Sequence, residues 1–295
     1  MDVGAELVRI ADAAGARGIA VVGTGKNVGK TVTVRAILRA LRGRVVGLTS
    51  IGRDGEAVDS GDAGAKPRLP LDPGTLIATA RSVLPASPAA EILETTGEAT
   101  AAGPLLYARV RDGAFYELVG VPTASGVRAS LTRLRAHGAT FTVLDGAIDR
   151  VAALAGGDET IVVAAGAAAS ATIDDAAEEA RALVARLSLQ AVDPAREALR
   201  LDGALTAGIA ARLIAAGERR QVVVVDPTRV MLGGDVFAGV ARRLDLRCER
   251  PLRVAAVTVA SIGRDRYFEP RAFADAVAAA TGLPTFDVYA GSRAA

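Results

Sequence analysis

The chain has 295 residues, enough for one large domain or two modest ones with a real core. Apolar residues make up 51% and charged residues 23%, an ordinary globular balance. A formal net charge of only +2 gives no strong pull toward nucleic acid, and aromatics at 3% argue against a base-stacking platform.

Residues 4–17 read as a short helix. Gly18-Ile19-Ala20-Val21-Val22 reads as a buried strand, and a Gly-rich turn follows from Gly23 to Thr31. Residues 31–41 have helical spacing, with Val34, Ile37, Leu38 and Leu41 on one face. A second strand at 45–49 runs into Ser50-Ile51-Gly52-Arg53-Asp54, completing a strand-loop-helix-strand unit of parallel-sheet type. Residues 55–73, rich in Gly, Asp and Pro, read as a long loop, a kind of segment that is often functional. A helix is expected over 74–83, then two strands within 105–121 meeting in a hairpin at Asp112-Gly113. Helix 126–136 leads to strand 141–145; strand 161–165 and helix 174–187 follow. The last hundred residues keep the rhythm, with helices at 203–216, 235–244 and 271–281 preceding strands at 222–226, 254–259 and 285–289.

The fold class is therefore α/β, a mostly parallel sheet flanked by helices. A soft boundary near Asp193-Pro194 gives a nucleotide-binding part at 1–190 and a C-terminal α/β segment, or second small domain, at 191–295. Ser50-Ile51-Gly52-Arg53-Asp54 recurs as Ser261-Ile262-Gly263-Arg264-Asp265. The flanks do not repeat with it, so it reads as a chance match.

Cys248 is the one cysteine and His137 the one histidine, which excludes an internal disulfide framework and argues against a Cys/His zinc site. The start lacks the order of a signal peptide, and the uncharged stretch near 161–173 is too short to span a membrane. The expectation is a cytoplasmic protein with neither nucleic-acid nor membrane partners. Cys248 reads as a packing residue. His137, late in a helix before Gly138, reads as a surface cation without a role.

Lysine is rare: there are three (Lys26, Lys30, Lys66) against thirty-two arginines. Two of the three fall in one loop, where a compact ammonium is not interchangeable with a planar guanidinium. That loop reads Gly23-Thr24-Gly25-Lys26-Asn27-Val28-Gly29-Lys30-Thr31. Thr24 stands where the strict phosphate-loop spacing has its first glycine, but Gly29-Lys30-Thr31 sits between strand and helix, the context the motif requires. Backbone N–H groups from Gly25 through Lys26, Asn27, Val28 and Gly29 would wrap the phosphates, aided by the helix N-terminus. Lys30 would reach the β- and γ-phosphates, and the Thr31 hydroxyl would ligate Mg²⁺. Val143-Leu144-Asp145-Gly146-Ala147 ends an apolar strand in a carboxylate suited to ordering Mg²⁺ or its water. The guanine-selective Asn-Lys-x-Asp sequence does not occur, which favours ATP over GTP.

Lys26-x-x-Gly29-Lys30-Thr31 resembles the deviant phosphate loop of the SIMIBI class of P-loop NTPases. That resemblance implies a homodimer in which Lys26 contacts phosphate across the interface, and a carboxylate near Asp54 that approaches Mg²⁺ and the attacking water. Arg53 could bind an anion or be solvated; Asp149 and Arg150 are weaker candidates. Asp145-Gly146-Ala147 is similar to the Glu-Gly-Ala of dethiobiotin synthetase and cobyrinate-amidating enzymes, with Asp in place of Glu. A longer set looks like the ATPase subunit of lysine 5,6-aminomutase reactivases: Gly23 to Val32, Leu48 to Glu56, Lys66-Pro67, Gly74-Thr75, Glu91-Ile92-Leu93-Glu94-Thr95-Thr96-Gly97 and Leu144 to Arg150. It implies an Mg²⁺-dependent ATPase with Lys30, Lys26, Asp54 and Asp145 as catalytic residues and Thr31, Asp54 and Asp145 at the metal. Its implied partners are an aminomutase using adenosylcobalamin and pyridoxal phosphate, and a second reactivase subunit. The rival expectations are a small-molecule ligase resembling dethiobiotin synthetase and a non-catalytic nucleotide-sensing scaffold.

Overall fold

The computed structural model describes residues 1–51, 68–85, 89–146, 154–155 and 157–290. Helix α1 (Val3–Ala13) is capped by the Asp2 carboxylate and lays Leu7, Val8 and Ala11 inward. Strand β1 (Gly18–Gly23) is buried throughout. Helix α2 (Lys30–Ala40) follows the Gly-rich loop, and β2 (Val46–Ser50) is again fully buried. Next come β3 (Leu69–Leu71), β4 (Leu76–Ala80), β5 (Ala90–Thr100), β6 (Gly103–Val110) and β7 (Ala114–Tyr116). Helix α3 (Ala124–Ala136), N-capped by Thr123, leads into β8 (Phe141–Asp145), and β9 (Glu159–Gly166) into α4 (Ile173–Leu187). A Thr172–Asp175 capping box starts α4.

The remainder comprises β10 (Ala198–Arg200), β11 (Leu205–Thr206), α5 (Ala207–Ala215), β12 (Gln221–Val224), β13 (Val230–Met231), α6 (Gly234–Ala241) and β14 (Leu246–Cys248). The chain ends with β15 (Val254–Ala260), α7 (Pro270–Thr281) and β16 (Thr285–Asp287).

Among the described residues one nine-stranded sheet runs β16-β15-β9-β1-β8-β2-β4-β6-β5. The seven strands from β16 to β4 pair in parallel, and β6 and β5 add antiparallel. Both faces are covered, so the central strands are mostly apolar, with buried Thr49, Ser50, Thr142 and Thr160 among them. Along β1, Ala20 and Val22 join the cluster under α3, α4 and α7, while Ile19 and Val21 join the one under α1 and α2. The fold is thus α/β with a large, mostly parallel sheet flanked by helices.

Three expectations change. Residues 74–83 are not a helix but β4 followed by a 3₁₀ turn at Arg81–Val83. Leu76-Ile77-Ala78-Thr79-Ala80 is buried on both faces between β2 and β6, and sheet pairing overrides any helical spacing so short a segment shows. The hairpin does not form at Asp112-Gly113: β6 turns instead with β5, Thr100 opposite Gly103, while β7 pairs with β3. Strand β5 is rich in Glu and Thr and half-exposed, which hides it from an apolar-pattern reading. Finally, the segment 191–295 divides. Strands β10, β12 and β14 form a small parallel sheet with its own apolar cluster, whereas β15 and β16 return to the large sheet beside β9.

Candidate functional site

Strand β1 delivers the chain to the carboxyl edge of the parallel sheet, where ligands of open α/β sheets bind. The loop that follows is held by close backbone approaches. Thr24 N–H donates to Ala164 O at 2.9 Å, fastening the loop to β9. Val28 is buried, and a Cβ on Gly166 would lie 2.6 Å from the Val28 Cα. Asn27 (φ +59°) and Gly29 (φ +91°) take left-handed conformations, and a Cβ on Gly29 would come within 2.7 Å of the Ala260 Cβ. Gly29 is also the N-cap of α2 and lacks a side-chain capping bond, so the helix presents its first N–H groups and the positive end of its dipole to the loop. Thr33 locks that first turn down, its hydroxyl reaching Gly29 O at 3.1 Å and the buried Thr258 Oγ1 at 2.9 Å.

Lys30 folds back over the loop: its Nζ donates to Gly25 O at 2.7 Å, and a Cβ on Gly23 would lie 2.9 Å from that nitrogen. Burial lowers the Lys30 pKa, while the negative charge of Asp145 acts the other way. Asp145 ends β8 between β1 and β2, in register with Val21 on one side and Ser50 on the other. Backbone bonds from Gly146 N–H to Val21 O (3.0 Å) and from Ile51 N–H to Asp145 O (3.1 Å) fix it there. The structure therefore has Gly25, Lys26, Asn27, Val28, Gly29, Lys30 and Thr31 on one loop and helix start, with Asp145 at the end of the neighbouring strand β8. Lys26 and Asn27 are exposed; Thr31 is half-buried in the first turn of α2. Asp54 lies outside the described residues, as do Arg53, Lys66, Asp149 and Arg150.

Other groups at this edge escape sequence reasoning. Residues 117–120 cross the ends of β2 and β4: Ser50 Oγ donates to Leu118 O at 2.9 Å, and Val119 N–H donates to Thr79 Oγ1 at the same distance. A Cβ on Gly120 would lie 1.8 Å from Ser50 O, so only glycine fits. Beyond Ala260, Ser261 is fully buried, and Asp287 ends β16 with 5% exposure. Ser261 Oγ and Asp287 Oδ2 have no hydrogen-bond partner among the described residues. Their nearness to the loop follows from the Gly29 contacts, Ala260 and Val288 being the residues next to them. The available signals are a polar residue closing an apolar strand and, for Ser261, the recurrence of Ser-Ile-Gly-Arg-Asp, which by itself reads as a chance match.

His137 is half-buried rather than a free surface cation, its Nε2 lying 2.8 Å from Glu94 Oε2. Cys248 is fully buried, as a packing residue should be, and its thiol pKa is pushed up to about 11 by burial, then by the nearby Asp226 charge.

Chemically, the loop sets a helix N-terminus beside the Lys30 ammonium, an arrangement suited to a polyphosphate. Magnesium ordinarily takes one or two protein oxygens and completes its shell with phosphate and water, and Thr31 with Asp145 is a donor set of that kind. No helix among the described residues is long and apolar enough to cross a membrane. Set against family models, curated proteins and solved structures, the chain matches none.

Proposed function

We propose that this protein is a magnesium-dependent ATPase of the P-loop, SIMIBI-like type that drives a conformational change in a partner protein. The observation that carries the reading is Lys30, folded onto Gly25 O at the head of α2 and electrostatically coupled to Asp145 across the sheet edge. In this reading the loop N–H groups and Lys30 bind the phosphates, while Thr31 and Asp145 hold magnesium directly or through water. Magnesium would supply charge neutralisation at the β- and γ-phosphates. In this reading Lys30 exchanges its contact with Gly25 O for one with the phosphate. Ser261 Oγ and Asp287 Oδ2, next in the chain to the residues that touch Gly29, have hydrogen-bonding capacity unused among the described residues.

The partner is proposed, from the sequence resemblance alone, to be an aminomutase using cobalamin and pyridoxal phosphate. The ATPase would act as a homodimer with a second reactivase subunit, in the cytoplasm. Lys30→Ala tests the nucleotide half. Calorimetry should show ATP affinity lost while circular dichroism stays unchanged; retained affinity would remove the phosphate-loop assignment. The partner half is tested by adding an aminomutase inactivated during turnover, with ATP, Mg²⁺ and fresh adenosylcobalamin. Recovery that depends on Lys30 supports it. ATP turnover driven by a small carboxylate or amine alone, without recovery, replaces it with the ligase reading.

A further inference from the structure

The small α/β unit meets the main body where α6 packs on α4, and the helices approach closely there: a Cβ on Gly234 would lie 3.0 Å from the Ala182 Cβ. Beside this contact is a cavity of about 200 Å³, with Thr24 of the Gly-rich loop in one wall. At ~30 Å³ per water, that is room for about seven waters or one small organic molecule. Its lining has a definite polarity. Glu179 and Arg186, both on α4 and both facing the cavity, are seven residues apart, about 10 Å along the helix axis. Between and opposite them the wall is apolar: Leu183, Leu232 and Phe237, all buried. Glu179 is steadied by Ser170, whose hydroxyl donates to its Oε2 at 3.0 Å. Ser170 is in turn fastened through its carbonyl by the Arg266 guanidinium.

An acid at one end, a guanidinium at the other and an apolar middle complement a molecule of the opposite order. We infer that this cavity is a second ligand site, for a short ω-amino carboxylate whose amine faces Glu179 and whose carboxylate faces Arg186. A guanidinium carries five N–H donors, so Arg186 can engage a carboxylate as well as a protein neighbour. The site is formed by both parts of the chain, and its ligand would join the small sheet to the nucleotide loop.

The test uses the full chain without nucleotide, so it stands apart from the ATPase assignment. The calorimetric probe is 6-aminohexanoate, compared with hexanoate and hexylamine, which each keep one end. Saturable binding of the zwitterion is expected, with each single-ended compound at least about tenfold weaker. Arg186→Gln should weaken 6-aminohexanoate about tenfold and leave hexylamine unchanged. Glu179→Gln should do the same while leaving hexanoate unchanged. Glu179 is exposed and Arg186 half-buried, so neither substitution empties the core, and folding is checked by circular dichroism. No saturable binding, single-ended compounds binding as tightly as the zwitterion, or binding indifferent to both substitutions would each overturn the inference.

Discussion

Gly166→Ala tests how the loop is held in place. Gly166 lies on β9 opposite Ala260, and an added Cβ would sit 2.6 Å from the Val28 Cα, 3.0 Å from its carbonyl carbon and 3.2 Å from its Cβ. All three are backbone or next to it, so no side chain can swing aside. Carbon contacts settle near ~3.5–4.0 Å, so the loop must retreat by about 1 Å. Overpacking of this kind costs about 1–3 kcal/mol, a fall in Tm of a few degrees for a chain this long. The functional effect should be larger, because the loop N–H groups move with Val28. A 1 Å misplacement of positioning groups can cost on the order of a hundredfold. The assay pairs thermal melting with titration of a fluorescent ATP analogue. Gly203→Ala is the control, since a Cβ there meets nothing within 4 Å. Were Gly166→Ala to bind nucleotide like wild type while Tm falls, the loop would not be positioned by this contact and the reasoning would fail.

Asp145→Asn keeps the shape and removes the charge. ATP should still bind while hydrolysis falls by a large factor, measured as phosphate release, and wild-type turnover would return Asp145 to a purely structural place at the strand end. If Lys26 acts across an interface, Mg²⁺-ATP should shift sedimentation toward a dimer, and Lys26→Ala should reduce hydrolysis more than binding; a monomer in every nucleotide state would contradict this. For Cys248, a folded-state pKa of about 11 against an ordinary 9.0 means the folded protein holds the proton more tightly. That stabilisation is fully present below pH 9 and is lost as pH rises from 9 toward 11, by about 2–3 kcal/mol at most. Denaturant melts of wild type and Cys248→Ala across this window should differ in slope, and parallel curves would refute it.

The sequence alone determined the central strands, the helices beside them and the Gly-rich loop, because a strand buried on both faces is mostly apolar and a loop of Gly-Lys-Thr type is a local signal. It also singled out Lys30 and Asp145, whose places at a helix start and a strand end are local properties. What it left undecided depends on partners distant in the chain. Strand β4 reads locally as a helix because its identity comes from lying between β2 and β6. Strand β5 was hidden by its Glu and Thr residues, since only pairing with β6 makes it a strand. The return of β15 and β16 to the large sheet places Ala260, Ser261 and Asp287 beside a loop more than two hundred residues earlier. Gly166 and Gly120 look like any other glycine until the backbone that each must admit has arrived. Local propensity and hydrophobic period write themselves into a short stretch of chain; contact between strand edges does not, and the tertiary fold alone decided it.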